Sequence, residues 1–323
     1  MEVPLVTVLL ILVAVAFAVS IGAHYTGACM GMSYAAGAIS LSRALWVMAP
    51  VAFVGAFLAS GGVEGTVGHG ILVASTVALG VALTIVTTAL LLTSAYNFLT
   101  IPTSTIQIFV FSTIGVGLAL GIPINWGTIE VLVVLWAIAP VAAFGLGYVI
   151  TRFADRYRPV VSPLTERSKA WMTGLVAIGI TASFAMGAND VSNASGPLVM
   201  TGLFGLLTAG FIGGVGIAVG VLTWGRPLLR TVAFDIVKLD PRMAITSQVA
   251  QSLVILVSVA FGYFTSMNQA LVSAMIGTGL ARGQRVVLWK PVRGILLGWL
   301  IGPASGLSLG FAIAWLGLRG GLL

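Results

Sequence analysis

Eight stretches of this chain, at about 3 to 21, 42 to 60, 71 to 95, 128 to 150, 170 to 188, 198 to 222, 244 to 262 and 294 to 316, are apolar almost throughout. A helix needs about 20 apolar residues to cross a bilayer, and each stretch reaches or approaches that length. Two shorter runs, near 104 to 120 and 266 to 281, have the size of half-helices or re-entrant hairpins. None of the runs alternates between apolar and polar positions, which excludes a β-barrel. The pattern predicts an all-α integral membrane protein.

Composition narrows this class without changing it. Hydrophobic residues fill 59% of the 323 positions, charged residues 7%, and the mean hydropathy is +1.13. No soluble globular domain has that balance. The segment after Met1-Glu2-Val3-Pro4 has neither a basic leader nor a small-residue cleavage site, and it reads as a retained first helix. Cys29, the one cysteine, permits no internal disulfide and reads as a small packing residue. The net charge of +7 resides in loops. No basic stripe is interleaved with aromatics, so nucleic acid is not an expected partner.

Sliding the sequence along itself reveals a repeat. At an offset of 165, Gly22-Ala23 falls on Gly187-Ala188, Gly31 on Gly196, Gly55 on Gly220 and Thr66-Val67 on Thr231-Val232. At an offset of 162, Thr103-Ser104 falls on Thr265-Ser266, Gln107 on Gln269, Ile114-Gly115 on Ile276-Gly277 and Gly121 on Gly283. One inserted residue later, Trp126, Trp136 and Pro140 fall on Trp289, Trp299 and Pro303; the tryptophans read as interfacial or packing residues. So many coincidences in order imply a tandem duplication. The expected organisation is a first transmembrane repeat over 1–150, a basic cytoplasmic linker over 151–169 and a second repeat over 170–323.

Charge predicts how the halves are related. Arg226, Arg230, Lys238 and Arg242 crowd one loop of the second half, and Arg282, Arg285, Lys290 and Arg293 another. The matching first-half stretches, 61–77 and 119–130, contain no Lys or Arg. Basic loops stay in the cytoplasm, so matched loops are expected on opposite faces. That is the pattern of two inverted-topology repeats, an architecture of secondary transporters with broken or re-entrant half-helices. The linker, with Arg152, Arg156, Arg158, Arg167 and Lys169 against Asp155 and Glu166, is placed on the cytoplasmic face too. Asp235 is expected to make only local, exposed ion pairs with its basic neighbours.

The carboxylates then single out one stretch. Seven of the eight acids fall at the terminus or in polar breaks, Glu64 among them, and Asp190 alone lies between two long apolar segments. A bare carboxylate at membrane depth costs roughly 3 kcal/mol on insertion scales, so it is expected to face a polar cavity. Four breaks in the apolar runs match in pairs under the repeat: Gly22 to Gly37, Pro102 to Gln107, Gly187 to Pro197 and Thr265 to Gln269. They gather Thr26, Thr103, Ser104, Thr105, Gln107, Asn189, Ser192, Asn193, Ser195, Thr265, Ser266, Asn268 and Gln269, and none contains Lys or Arg. Backbone N–H groups at half-helix N-termini, with these hydroxyls and amides, suit an oxyanion. Asp190 suits a coupling cation or proton. There is no His-Glu-x-x-His motif and no nucleotide-binding Gly-rich loop, so neither an enzyme nor a nucleotide-driven pump is expected.

Gly187-Ala188-Asn189-Asp190-Val191-Ser192-Asn193-Ala194 closely resembles the signature of the inorganic phosphate transporter family of sodium- or proton-coupled permeases. The resemblance continues through Gly225-Arg226-Pro227, Asp235-Ile236-Val237-Lys238 and the Gln269 segment, and is weaker over about 20 to 120. It implies two inverted repeats, an oxyanion held between the motifs, and sodium held by Asp190, Asn189 and Asn193. The first copy departs from the pattern. His24 stands where Asn189 does and Tyr25 where Asp190 does, so one cation-binding carboxylate is missing, while His24 could titrate in a proton-coupled cycle. Pro102-Thr103-Ser104-Thr105-Ile106-Gln107 is similar to a family element that ends in His. The run from Gly27 to Ile39 resembles the sulfate-permease branch of the same family.

The expected function is therefore a multi-pass permease of the cell membrane, driven by sodium or protons. Its substrate is a tetrahedral inorganic oxyanion, phosphate first and sulfate as the alternative, and a passive anion channel is the alternative of another class. No further cofactor is expected. Gly-rich helices allow close packing within one chain or between the copies of a homodimer.

Overall fold

The computed structural model describes residues 4–157, 169–234, 240–283, 289–321 and 323. Arg158, Glu166, Arg167, Asp235, Lys238 and Arg285, and the side chains of Trp289, Lys290 and Arg293, lie outside the described residues. Among the described residues the chain forms thirteen helices. The first half holds α1 (Leu5–His24), α2 (Thr26–Ala35), α3 (Leu41–Ala59), α4 (Gly61–Gly70), α5 (Leu79–Phe98), α6 (Thr105–Leu120) and α7 (Trp126–Tyr157). The second holds α8 (Lys169–Met200), α9 (Leu206–Trp224), α10 (Arg226–Phe234), α11 (Pro241–Ala260), α12 (Met267–Ala281) and α13 (Trp289–Arg319).

Eight segments are long and apolar enough to cross a membrane, α1 and α2 together forming one of them. The molecule is turned inside out relative to a soluble protein: Leu58, Val141 and Leu300 are exposed, whereas Asn189, Asp190 and Asn193 are fully buried. This is a multi-pass membrane protein, with apolar side chains facing outward and a group of polar ones set within an otherwise apolar interior.

Local chemistry sets the ends of the short helices. Ser104 caps α6 by accepting from the Gln107 N–H, and Ser266 caps α12 by accepting from the Gln269 N–H. Both helices stop beside glycines in the left-handed region, Gly121 at φ 68° and Gly283 at φ 63°. The two short apolar runs are thus capped helices of 16 and 15 residues.

Three of the four expected breaks occur. α1 gives way to α2 at Tyr25, and residues 101–104 and 263–266 are non-helical ahead of α6 and α12. The fourth does not. α8 runs without interruption through Gly187 to Pro197, with Pro197 inside its last turn, where the Asn193 carbonyl goes without its helical N–H.

The halves interlock in space. α1 packs on α9 and α3 on α8, while α6 packs on α13 and α7 on α12, so each of these contacts crosses the sequence seam. The close approaches themselves repeat. A Cβ on Gly22 would collide with the Ile217 carbonyl, and one on Gly187 with the Ala52 carbonyl. One on Gly55 would collide with the Phe184 carbonyl, and one on Gly220 with the Val19 carbonyl. Ile217 and Ala52, like Phe184 and Val19, stand one 165-residue offset apart, so residues and contact partners obey the same repeat.

The loops segregate to the two ends of α7. Near its start, Leu72 bridges Ile124, and the Val73 N–H donates to the Pro123 carbonyl at 2.8 Å, joining the two stretches without basic residues. Near its other end, about 40 Å away along the helix, Asp155 accepts from Arg242 at 2.9 Å and from Arg282 at 2.7 Å. Arg282 also pairs with Asp240, the N-cap of α11. Arg242 and Arg282 were read as loop charges only; both side chains are largely buried in this three-loop network.

Candidate functional site

At the centre, two non-helical segments, 101–104 and 263–266, meet the motif residues of α1 and α8. Asn189 clamps Thr265: its Oδ1 accepts from the Thr265 N–H at 3.1 Å and its Nδ2 donates to the Thr265 carbonyl at 2.8 Å. His24 holds the matched residue, Nε2 accepting from the Thr103 N–H at 3.1 Å. Its other ring nitrogen meets Asn97 Oδ1 at 2.5 Å, and Asn97 Nδ2 donates to the Ser20 carbonyl at 2.8 Å. Since Asn97 presents its oxygen, the network places a proton on His24 Nδ1, while Nε2 lies within reach of the Thr103 carbonyl, at 3.2 Å, as well as its N–H.

The carboxylate lies one residue further along. Asp190 Oδ2 accepts from Asn189 Nδ2 at 3.1 Å, and Oδ1 is buried without a partner. The Tyr25 hydroxyl lies beside this carboxylate and meets Thr105 Oγ1 at 2.9 Å. Thr105 Oγ1 also accepts from Asn193 Nδ2 at 3.3 Å. Across the halves, Asn268 Nδ2 donates to the Thr103 carbonyl at 2.8 Å. Gln107 and Gln269 exchange amide bonds, at 3.5 Å and 3.1 Å, so the N-termini of α6 and α12 face each other.

Several polar atoms in this centre are buried and unpartnered: Asp190 Oδ1, Asn193 Oδ1, Thr103 Oγ1 and Thr265 Oγ1. Native proteins leave few such groups, and this set is drawn from both halves. Carboxylate and amide oxygens suit a hard cation, and hydroxyls beside two helix N-termini suit an anion. None of the hydrogen bonds within this centre involves a lysine or arginine.

Not every expected residue joins the cluster. Thr26 donates to the Gly225 carbonyl at 2.6 Å, Ser192 donates back to the Asn189 carbonyl at 3.1 Å, and Ser195 donates to Glu64 at 2.5 Å. Ser104 and Ser266 serve as helix caps. Glu64 itself is a correction: expected in a polar break, it is fully buried on α4. Asn97, Gln248, Gln251 and Ser252 are buried polar residues that the sequence did not single out. Gln248 Nε2 donates to the Cys29 carbonyl and Gln251 Nε2 to the Met267 carbonyl, each leaving its own side-chain oxygen unpartnered. Their signal was an amide pair at i, i+3 within the apolar run of α11. Cys29 is buried as a packing residue, and the Trp136 indole donates to the Phe264 carbonyl at 3.2 Å.

Comparison with known proteins agrees with this geometry. A sulfate permease, CysP of Bacillus subtilis (strain 168), is 30% identical over 311 residues, which cover 96% of this chain and 87% of the permease. A putative phosphate permease of Pyrococcus furiosus is 30% identical over 174 residues, covering 50% of this chain and 42% of that one. Human sodium-dependent phosphate transporter 2 is 33% identical over 137 residues, 39% of this chain and 21% of that one. A solved structure, described as the sodium-dependent phosphate transporter, shares the fold at a TM-score of 0.87 with 21% identity, over 97% of this chain and 99% of the other. The model of the phosphate transporter family matches residues 21–309, and the chain belongs to that family.

Proposed function

We propose that the chain is a secondary transporter of a tetrahedral inorganic oxyanion across the cell membrane, phosphate being the first substrate. The observation that carries this reading is the set of unpartnered oxygens around Asp190, Asn193, Thr103 and Thr265, where two helix N-termini meet. The anion lies against first-turn N–H groups of α6 and α12 and the hydroxyls of Thr103, Thr105 and Thr265. The coupling ion, sodium or a proton, is taken by Asp190 together with Asn189 and Asn193. Neutralising Asp190 offsets its repulsion of a bound dianion, so cation and anion bind together, which is the basis of symport.

The two halves act as inverted repeats. In support, matched glycines meet matched carbonyls, and matched loops lie at opposite ends of α7. Rocking one set of helices against the other would expose the site to each side in turn. His24 carries the first-half clamp on Thr103, so a proton on its ring would bear directly on the α6 N-terminus.

Sulfate is the second reading, and Tyr25 favours it. Hydrogen phosphate can donate a hydrogen bond and sulfate cannot, so each carboxylate facing the anion favours phosphate. With Tyr25 at the position matching Asp190, one such acceptor is absent. The sulfate permease similar to this chain over nearly its whole length points the same way.

Uptake of labelled phosphate and labelled sulfate into liposomes, with a sodium gradient, a proton gradient or neither, tests the reading. Accumulation of one anion above its external level under one gradient is expected. Equilibration of both anions with no gradient-driven accumulation would mean a passive channel.

A further inference from the structure

We propose that Glu64 is a second ion-coupling site, one that binds a proton and is separate from the Asp190 cluster. The proposal rests on the transport reading above for its role, though its occupancy can be measured without transport.

Glu64 lies in the first turn of α4, the ten-residue helix between α3 and α5, outside the eight membrane spans. Its side chain is entirely buried. Ser195 Oγ donates to Oε1 at 2.5 Å, and Oε2 is buried with no partner. Space has been left for this carboxylate: a Cβ on Gly210 of α9 would come within 3.2 Å of both Glu64 Oε1 and Ser60 Oγ.

Among the described residues no basic group compensates it. α3 carries only Arg43, in its first turn, and α9 carries no titratable side chain. On α4 itself, His69 lies at the far end and is exposed. On α8, Lys169 lies at the start of the helix and Asp190 faces Tyr25 and Asn189. On α11, Arg242 is held by Asp155. An ionised Glu64 would be a buried charge without a counterion, so the proton-bound form is the one the fold accommodates. The free Oε2 is where that proton sits, while Oε1 keeps its bond from Ser195. Burial lifts this carboxyl to about 7, against the hydrogen bonds that favour its ionised form. Among the described residues no group of three His, Cys, Asp or Glu side chains gathers there, so the surroundings suit a proton better than a metal cation.

The site is mechanically joined to the motif. Ser195 follows Asp190 by five positions, which places it about 140° round α8 and about 7.5 Å along it. Ser195 Oγ lies 3.0 Å from the carbonyl of Val191, the residue after Asp190, and that carbonyl takes its hydrogen when Glu64 does not. α4 presses closely on α8, with Gly68 against Val199 and Gly196 against Val67. Loss of the Glu64 proton therefore strains the same helix that carries Asp190, from its opposite side.

The test uses the purified full chain. In liposomes with a trapped pH dye, anion uptake by the wild type should move protons and follow a pH profile centred near neutrality. Glu64→Gln, which keeps an acceptor for Ser195, should flatten that profile and abolish the proton movement. In parallel, infrared titration in detergent should show a protonated carboxyl band that titrates near pH 7, is lost in Glu64→Gln and survives in Asp190→Asn. An unchanged pH profile with intact proton movement in Glu64→Gln, or the same band persisting in it, overturns the proposal. Should Glu64→Gln not fold, Glu64→Asp must shift the band's midpoint, and an unshifted midpoint overturns it. If the wild type exchanges neither anion at equal pH, the transport reading falls, and the infrared titration still decides whether Glu64 binds a proton.

Discussion

His24-Tyr25 and Asn189-Asp190 occupy matched positions in the two halves, and their first members do the same work. Each fixes the residue two positions ahead of a short, capped helix: His24 Nε2 meets the Thr103 N–H and carbonyl, and Asn189 bonds both backbone groups of Thr265. The second members differ. Asp190 brings a carboxylate with a free oxygen, whereas Tyr25 brings a hydroxyl that is bonded to Thr105. The scaffold of the site is kept by hydrogen-bond geometry that an imidazole can imitate. Its charge cannot be imitated by a phenol, so at this matched pair the carboxylate belongs to the second half alone.

The comparison can be broken most sharply at Asp190. Asp190→Asn should abolish coupled uptake while leaving a folded protein in the membrane; loss of a charged contact worth roughly 3 kcal/mol is about a hundredfold. Full concentrative uptake by this variant, measured in liposomes, would remove Asp190 from the coupling role. Next in size are Gly22→Ala and Gly187→Ala, each of which drives a methyl into a backbone carbonyl. Overpacking of this kind costs about 1 to 3 kcal/mol, and thermal unfolding in detergent should show similar losses for both. A loss in one variant only would mean that the halves do not share their packing.

His24 sharpens the comparison from the other side. His24→Ala leaves the Thr103 N–H and Asn97 Oδ1 without partners and should cost about 1 to 3 kcal/mol of stability. His24→Asn copies the second-half clamp and should recover most of that loss. If it recovers stability but not pH dependence, the imidazole is a titrating group as well as a clamp. The smallest effect is expected for Gln107→Met, which removes one side of the amide exchange with Gln269. A net hydrogen bond contributes about 1 kcal/mol, and a drop in melting temperature larger than that for His24→Ala would overturn this ordering.

Much of the fold could be read from the chain because membrane helices announce themselves by length and apolarity alone. The stretch read at 71 to 95 shows the limit: residues 71–78 form an irregular turn, since the Ile71 and Val73 backbone bonds the segment around Ile124 instead of entering α5. The site was legible where hydroxyls and amides cluster at breaks, as at Thr103 to Gln107 and Thr265 to Gln269. It was misread at Ser192 and Ser195, because a residue list does not tell which way a helical side chain points. Gln248, Gln251 and Asn97 went unseen for a similar reason. Each lies in a largely apolar helix, and only contact with another helix gives it a role.

What the sequence determined by itself was periodicity, length and symmetry: eight spans, two shorter apolar runs and a duplication whose matched loops are basic in the second half and free of Lys and Arg in the first. These depend on local physics, namely bilayer thickness, helix rise and the cost of burying charge. Tertiary structure alone decided that the halves interlock instead of standing side by side, that α8 passes unbroken through its motif, and that Glu64 is buried against Ser195. Those outcomes depend on which surfaces meet across more than a hundred residues of chain, and no local preference encodes that.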